Sequence, residues 1–240
     1  PDNKQIFECY QKSSTDVWPE KPTDAKTRGY RKMVDLIEMH VLNPRSNQSV
    51  CDIGCYTGGL LKTFGDKWEK YGIEPSHSAA EIARKSGITI HETNWRDGLI
   101  MREYDCVTLL SVIEHVVEQE ELVCAVHSAL KADGLFLIET GDFDSFWARF
   151  MGKHWFYYRL PEHVVFHSKK SLCKLLDDNG FEVLRVIGGK NHKNAMGFKG
   201  KAAALKRLTK AVLKRMFTRG TEPWRALWLD HQWVLARKKS

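Results

Sequence analysis

A glycine-rich turn between residues 49 and 59 carries the clearest potential for chemistry in this chain. A short apolar run ends in Asp52-x-Gly54-x-x-x-Gly58, and a second ends on Glu74, 22 positions after Asp52. Glycines let the backbone turn sharply and approach a ligand closely, and an acidic residue ending the next strand can bind ribose hydroxyls. Tyr56 stands where a dinucleotide fingerprint has its middle glycine, and it would crowd a pyrophosphate. The turn therefore predicts a site for a nucleoside-bearing ligand that lacks a pyrophosphate.

The elements that must position this turn alternate between strand and helix. A helical apolar period runs from Asp24 to Val41 and stops at Asn43-Pro44. The same reasoning predicts helices over 57–66, 76–86, 117–131 and from Ser168 to Asn179, and strands over 49–53, 70–74, 88–92, 104–110, 134–140, 181–187 and 231–237. Strand–helix alternation of this kind predicts a parallel sheet with helices on both faces.

Several segments resemble, in order, the class I S-adenosylmethionine-dependent methyltransferases. The Asp52–Gly58 turn is similar to their motif I, an acidic residue followed by G-x-G-x-G. Further segments resemble their fourth strand, fifth strand, sixth strand and terminal seventh strand: residues 104–116, 131–140, 179–183 and 231–238. The resemblance implies an α/β fold, with a doubly wound Rossmann-like seven-stranded sheet that is mostly parallel and has an antiparallel last strand. It also implies S-adenosyl-L-methionine as the cofactor.

The resemblance assigns cofactor contacts to the ends of the first four strands. Asp52 lies near the amino-acid moiety of the cofactor in this family, and Glu74 binds the ribose. In the turn, the resemblance implies backbone contacts with the cofactor from Gly54, Cys55, Tyr56 and Gly58. At the end of strand three it implies adenine contacts from Asn94 and Trp95. At the end of strand four, Leu110 and Ser111 are implied to pass under the cofactor. Two alternatives stay open, in which Asp52 stabilises the turn and Trp95 packs in the core.

Glu114 and His115 are the first candidates for catalysis. They resemble the end of an E-x-x-E-H run that has been linked to a divalent metal in the ubiquinone-biosynthesis-type O-methyltransferases, the branch that this chain resembles most. Here Ser111 replaces the first acid of that run, and two ligands with a serine make a poor magnesium site. We therefore predict no metal. In the alternative interpretation both residues open the next helix, with His115 touching the cofactor or backbone.

Glu162 and His163 are the second candidates, within a Pro-Glu-His run that resembles the acceptor side of bacterial small-molecule methyltransferases. Methyl transfer to an oxygen requires removal of its proton, commonly by a histidine or a carboxylate near neutral pH. His163 is the candidate general base, with Glu162 or Tyr157 orienting it or the substrate, and His154 is a weaker rival. The alternative is that Glu162 and His163 cap the following helix and shape the cofactor pocket.

Composition favours one α/β domain over residues 1–240, and the resemblance implies that it is a single class I methyltransferase domain. Its length and 42% hydrophobic content suit a single α/β core. Within it, residues 1–45 are expected to form an N-terminal arm and helix, and residues 141–167 and 190–225 are expected to be insertions that form the acceptor side or a lid. The sequence shows no signal peptide and no apolar run long enough to span a membrane, and its six cysteines are scattered. These features predict free, largely buried thiols and a cytoplasmic location.

The positive charge of the chain is concentrated near its C-terminus. Residues 190–219 hold ten Lys/Arg and no Asp/Glu, and removing these ten from the net charge of +7 leaves −3. An amphipathic pattern in 199–219 suggests peripheral contact with the inner membrane face or an anionic, even lipid-linked, acceptor. A lid helix with a solvated basic face is the alternative. Nucleic acid is disfavoured because the aromatic residues concentrate in 143–158 instead.

The predicted activity is O-methylation of a small-molecule hydroxyl. Three alternatives remain open from the sequence: a small-molecule N-methyltransferase, an RNA methyltransferase that uses residues 190–219, and a cofactor-binding module without catalysis.

Overall fold

The computed structural model describes residues 24–155, 157–158, 162–188 and 230–239. A seven-stranded sheet forms its centre, in the order β3-β2-β1-β4-β5-β7-β6. The strands are β1 (Gln48–Ile53), β2 (Trp68–Ile73), β3 (Thr89–His91), β4 (Tyr104–Leu110), β5 (Leu130–Gly141), β6 (Phe181–Gly188) and β7 (His231–Lys238).

The strand directions agree with the predicted fold. Strands β1 to β5 pair in parallel, whereas β7 lies between β5 and β6 and runs antiparallel to both. The order reverses at β1, from which the chain passes outward to β2 and later returns to β4 on the other side. Ligands in open α/β sheets bind at such a switch point, outside the carboxyl ends of the strands.

Helices cover both faces of the sheet. They are α1 (Asp24–Glu38), α2 (His77–Arg84), α3 (Trp95–Leu99), α4 (Gln119–Ala129), α5 (Phe146–Met151) and α6 (Lys169–Asp178). On one face α4 and α6 pack on the sheet around Val107, Phe136 and Phe181. On the other, α1 and α2 pack around Val50, Ile90 and Leu137. Every residue of β1 is buried, as expected for a central strand covered on both faces.

Of two helices predicted from the sequence, the one that begins after Ser168 is present in the structure and the one over 57–66 is not. Ser168 caps α6 with a capping box that involves Ser171, as the sequence predicts for this end. The helix expected over 57–66 is wrong, because the structure has turns there and one short 3₁₀-helix, Leu61–Thr63. Gly58 has a φ of +75°, and a left-handed residue inside the first turn interrupts an α-helix before it can propagate.

The membrane-span and thiol predictions can be compared with the described residues, whereas the basic segment lies outside them. Within the described ranges, no helix has the length and apolar character needed to cross a bilayer. Cys51, Cys55 and Cys106 are buried free thiols, Cys173 is half-buried, and Cys124 is exposed. The basic segment 190–219 and most of the N-terminal arm lie outside the described residues.

Candidate functional site

The turn after β1 lies at the switch point and has an unusual backbone. Gly54, Tyr56 and Gly58 all have positive φ values, of 70°, 50° and 75°. A Cβ on Gly54 would lie 2.7 Å from Cγ2 of Val112, in the segment that follows β4. The turn after β1 and the turn after β4 are therefore in contact, and only glycine at position 54 permits this approach.

Glu74 closes this turn from the end of β2. Its two carboxylate oxygens accept hydrogen bonds from the backbone N–H groups of Tyr56 and Ser76, each at 2.8 Å. Burial raises the pKa of Glu74, and these two hydrogen bonds act in the opposite direction. Each carboxylate oxygen keeps a further lone pair. The carboxylate is thus fixed beside the turn with acceptor capacity for ribose hydroxyls.

Asp52 lies deeper, on β1. It is 3% exposed, and its Oδ1 accepts a 2.7 Å hydrogen bond from the Thr108 hydroxyl on the neighbouring β4. Burial raises the pKa of Asp52 to about 7 despite this hydrogen bond, and the charge of Glu74 contributes to the increase. A buried carboxylate of this kind favours the approach of a positively charged ligand group.

The remaining predicted cofactor residues lie at the ends of β3 and β4. The Asn94 side chain caps α3 by accepting from the Asp97 N–H, and Trp95 is half-buried, packed against the core and covered by the Arg96 guanidinium. Leu110 ends β4, and the exposed Ser111 follows it with a φ of 53°. Cys55 is buried inside the turn. Ser111 therefore lies beside the glycine turn, whereas Asn94 already has a structural role.

The catalytic candidates from two distant segments come together beside these strand ends. The backbone N–H groups of Val164 and Val165 donate to the Glu114 carbonyl, which docks the segment around His163 on the 3₁₀ turn Ile113–His115. As a result, the His115 and His163 rings lie 4.6 Å apart between centroids. The structure thus brings together two histidines that the sequence places in separate motifs.

Glu114 and Tyr157 form the buried side of this cluster. The Tyr157 hydroxyl donates to Glu114 Oε1, and the Thr140 hydroxyl donates to Oε2 at 2.9 Å. Burial, followed by the charge of Glu114, raises the pKa of Tyr157 well above its ordinary value. Glu162 is exposed, and its backbone carbonyl oxygen accepts a hydrogen bond from His115 Nδ1. His154 is also exposed.

A second chain of polar groups, centred on the buried Glu139 and Asp230, was not predicted from the sequence. Ser111 Oγ donates to Glu139 Oε2 at 2.9 Å, and His231 Nε2 lies 3.7 Å from Glu139 Oε1. His231 Nδ1 lies 3.1 Å from Asp230 Oδ1. Burial lowers the pKa of His231, but Glu139 and Asp230 outweigh it and raise the value to about 9. The sequence did contain a signal for Glu139: it lies near the end of the predicted strand 134–140, as Glu74 lies at the end of the predicted strand 70–74.

Helix α1 adds a cation that the sequence analysis also missed. Lys26 interacts electrostatically with Glu139 and Asp52, and its ammonium lies 5.7 Å from the centre of the Tyr30 ring. Burial lowers the pKa of Lys26, and the two carboxylates oppose that change. The N-terminal end of α1 therefore contributes positive charge to the same carboxyl edge of the sheet.

The family follows from a comparison with known domains. A model described as a methyltransferase domain matches residues 25–186, which include the glycine turn, the switch point and both candidate catalytic segments. The chain belongs to this family, and it has the fold of the class I S-adenosylmethionine-dependent methyltransferases, as predicted. The ubiquinone-biosynthesis-type branch is not distinguished by this match. A search of curated protein sequences found no significant match.

Solved structures share the fold at low identity. Magnesium protoporphyrin IX methyltransferase from Synechocystis, with bound S-adenosylhomocysteine, is 14% identical over 99% of this chain and 100% of its own, with a TM-score of 0.66. Geranyl diphosphate C-methyltransferase from Streptomyces coelicolor is 14% identical over 99% and 97%, with a TM-score of 0.61. Phosphoethanolamine N-methyltransferase 2 from Haemonchus contortus is 12% identical over 98% and 60%, with a TM-score of 0.59.

Proposed function

We propose that this chain transfers a methyl group from S-adenosylmethionine to a hydroxyl oxygen of a small molecule. The observation that carries the proposal is the position of the Glu114–His115–His163 cluster, next to the turn after β4 that contacts the Gly54 turn. Groups able to take a proton thus lie beside the switch point, where the donor would bind. Neighbours with this fold act on small molecules according to their names, at carbon and at nitrogen among others.

The cofactor would bind along the ends of β1, β2 and β4. Glu74 would accept from the ribose hydroxyls, Asp52 would face the amino-acid moiety, and the backbone of the Gly54–Gly58 turn and Ser111 would line the rest. The bound cofactor supplies an electrophilic methyl group on a sulfonium, which leaves as the thioether when the oxygen–carbon bond forms. Trp95 is the proposed adenine contact, together with Asn94, which would contact the adenine in addition to capping α3.

The protein's own contribution is to hold the acceptor in line and to remove its proton. The hydroxyl loses a proton as its oxygen takes the methyl group, and His163 is the proposed base. Its Nδ1 lies 2.7 Å from the Tyr157 carbonyl, which can only accept, so Nδ1 carries the hydrogen and Nε2 the lone pair. A positioned base contributes about 10²–10⁴ in rate. His115 is the second candidate because its ring lies against that of His163.

The test measures cofactor binding and turnover separately. Calorimetry with S-adenosylhomocysteine should show binding to the wild type and at least tenfold weaker binding to Glu74→Ala, because a charge-assisted hydrogen bond contributes roughly 1.5–3 kcal/mol. Panels of hydroxyl and amine acceptors should then show labelled methyl transfer to a hydroxyl. His163→Ala should lower turnover at least 100-fold with little change in cofactor affinity, whereas His77→Ala, on the surface, should change neither.

Three outcomes would contradict the proposal. A wild-type protein that does not bind S-adenosylhomocysteine would exclude the methyltransferase activity. Methylation confined to the amine panel would replace O-methylation with N-methylation. Tight binding without turnover on either panel would favour a cofactor-binding module.

We propose in addition that residues 190–219 attract an anionic partner of this enzyme, either a lipid surface or an anionic acceptor. The support is their sequence, with ten Lys/Arg and no Asp/Glu. Each basic residue near an anionic membrane contributes about 1 kcal/mol, and salt screens the attraction beyond roughly 8 Å. Reversal of Lys206, Arg207, Lys210 and Lys214 to Glu should abolish salt-sensitive binding to phosphatidylserine vesicles. If vesicle binding is unchanged but the affinity for anionic acceptors falls, the acceptor is the partner. If neither vesicle binding nor acceptor affinity changes, residues 190–219 do not attract an anionic partner.

A further inference from the structure

Three metal-ligating side chains converge at the acceptor end of the site. The carboxylate of Glu114 and one ring nitrogen each of His115 and His163 offer ligand atoms that all lie within 4.8 Å of one another. Glu114 and His163 are 1% and 6% exposed, and the His115 side chain is 13% exposed. The three groups therefore form a compact, largely buried set.

The hydrogen bonds of the two histidines orient them as ligands. His115 Nδ1 lies 2.7 Å from the Glu162 carbonyl oxygen, and His163 Nδ1 lies 2.7 Å from the Tyr157 carbonyl oxygen. Because a carbonyl oxygen can only accept, Nδ1 carries the hydrogen in both rings and Nε2 carries the lone pair. A backbone carbonyl on one ring nitrogen is the usual outer partner of a histidine that binds a metal through the other.

Glu114 is held in place just as firmly. The Thr140 and Tyr157 hydroxyls donate to one carboxylate oxygen each, and every carboxylate oxygen has a second lone pair. Hydrogen bonding to ligating carboxylates is a regular feature of metal sites, since it fixes the oxygen that must meet the ion.

We infer that Glu114, His115 and His163 bind a divalent cation of the first transition series, such as Zn²⁺, Mn²⁺ or Fe²⁺. Two imidazole nitrogens and one carboxylate oxygen suit these ions, whereas Mg²⁺ and Ca²⁺ prefer oxygen ligands. Three protein ligands also leave coordination positions open, as in catalytic zinc sites. The sequence predicts no metal because Ser111 is the third group of the local run, and no local pattern places His163 beside Glu114.

The use of the ion rests on the proposed function. A cation at these ligands would withdraw electron density from an acceptor hydroxyl and ease loss of its proton. It would also occupy the Nε2 lone pairs of His163 and His115, so with the ion bound the hydroxyl proton would pass to solvent water instead of to either histidine. Ion binding itself does not depend on methyl transfer, and it can be measured on the protein alone.

The experiment titrates chelator-treated full-length protein with Co²⁺ and follows the visible absorption bands of the coordinated ion, with Zn²⁺ and Mg²⁺ as competitors. We expect one Co²⁺ per chain, displaced by Zn²⁺ and not by equimolar Mg²⁺. His115→Ala and Glu114→Gln should each weaken binding at least tenfold. His77→Ala is the matched control, since His77 is exposed and pairs with Glu92 outside the cluster.

His163 needs a second variant because its ring is buried. His163→Ala should abolish the Co²⁺ bands, and His163→Phe, which retains the ring volume, should do the same in a protein whose circular dichroism and melting match the wild type. The absence of Co²⁺ bands in the wild type, or bands that survive these substitutions, would overturn the inference. S-adenosylhomocysteine binding measured on the same samples shows separately whether the proposed function has failed.

Discussion

Asp52 offers the sharpest quantitative test of the cofactor site. Its carboxyl is buried on β1, and its pKa of about 7 means that roughly half of the molecules carry a proton on it at pH 7. The cofactor's amino-acid moiety carries an ammonium group. A positive charge about 4 Å away contributes on the order of 4 kcal/mol at an effective dielectric constant near 20, which is enough to ionise Asp52 fully. Cofactor binding should therefore release a proton from this residue.

The expected release depends on pH in a defined way. It should be about 0.9 proton at pH 6, about 0.5 at pH 7 and about 0.1 at pH 8, because only the protonated fraction has a proton to lose. Calorimetry in phosphate and in Tris at each pH gives this number from the difference in binding enthalpy. Asp52→Asn is the control that removes this proton while retaining the side-chain shape, so that proton exchange by the cofactor itself cancels in the difference.

Thr108→Val provides an independent check on the same carboxyl. The Thr108 hydroxyl favours the ionised form of Asp52, so its loss should raise the pKa of Asp52 further and extend proton release to higher pH. A wild type that releases no more protons than Asp52→Asn between pH 6 and 8 would refute this assignment of Asp52.

Two further predictions concern stability. Gly54→Ala should lower the free energy of unfolding by about 2–4 kcal/mol in urea titration, because Gly54 has a φ of +70° and its Cβ would lie 2.7 Å from Val112. The control Gly29→Ala, in α1 with open space around it, should raise the free energy of unfolding by about 0.5–1 kcal/mol. Equal effects of the two substitutions would contradict the packing argument. His231 has a pKa raised to about 9 by Glu139 and Asp230, with Glu114 contributing, so its stabilisation is complete below about pH 6.5 and is lost as the pH rises through 9. Melting temperatures from pH 6 to 10 should therefore fall more steeply for the wild type than for His231→Gln, and parallel curves would exclude the effect.

The fold was predictable because its signals are local. Strand–helix alternation and the resemblance around Asp52 and Glu74 gave the parallel half of the sheet and its switch point. The late strand 231–237 was correctly placed as antiparallel. The helix expected over 57–66 failed because its apolar period was followed through Gly58, where a positive φ ends any α-helix.

The part of the proposed site that holds the catalytic candidates was less predictable because it depends on contacts between distant segments. His115 and His163 were each identified as candidates, yet nothing in either motif shows that their rings are in contact. That contact arises from two backbone hydrogen bonds to the Glu114 carbonyl. Backbone hydrogen bonds of this kind cannot be predicted from residue types, because nearly every residue has the same backbone groups. His231 was missed for the same reason, since its partner Glu139 is supplied by the pairing of β5 with β7.

The distribution of buried charge gives the two ends of the site different preferences. At the donor end, burial raises the pKa of Asp52 and of Glu74, and their described hydrogen-bond donors are the Thr108 hydroxyl and two backbone N–H groups, all neutral. A cationic ligand would relieve that cost, which suits a sulfonium with an ammonium group. At the acceptor end, Glu139 already faces a protonated His231. Lys26 on α1 supplies part of the positive charge near Asp52 and the cofactor would supply the rest, whereas Glu139 is balanced by His231 before any acceptor binds.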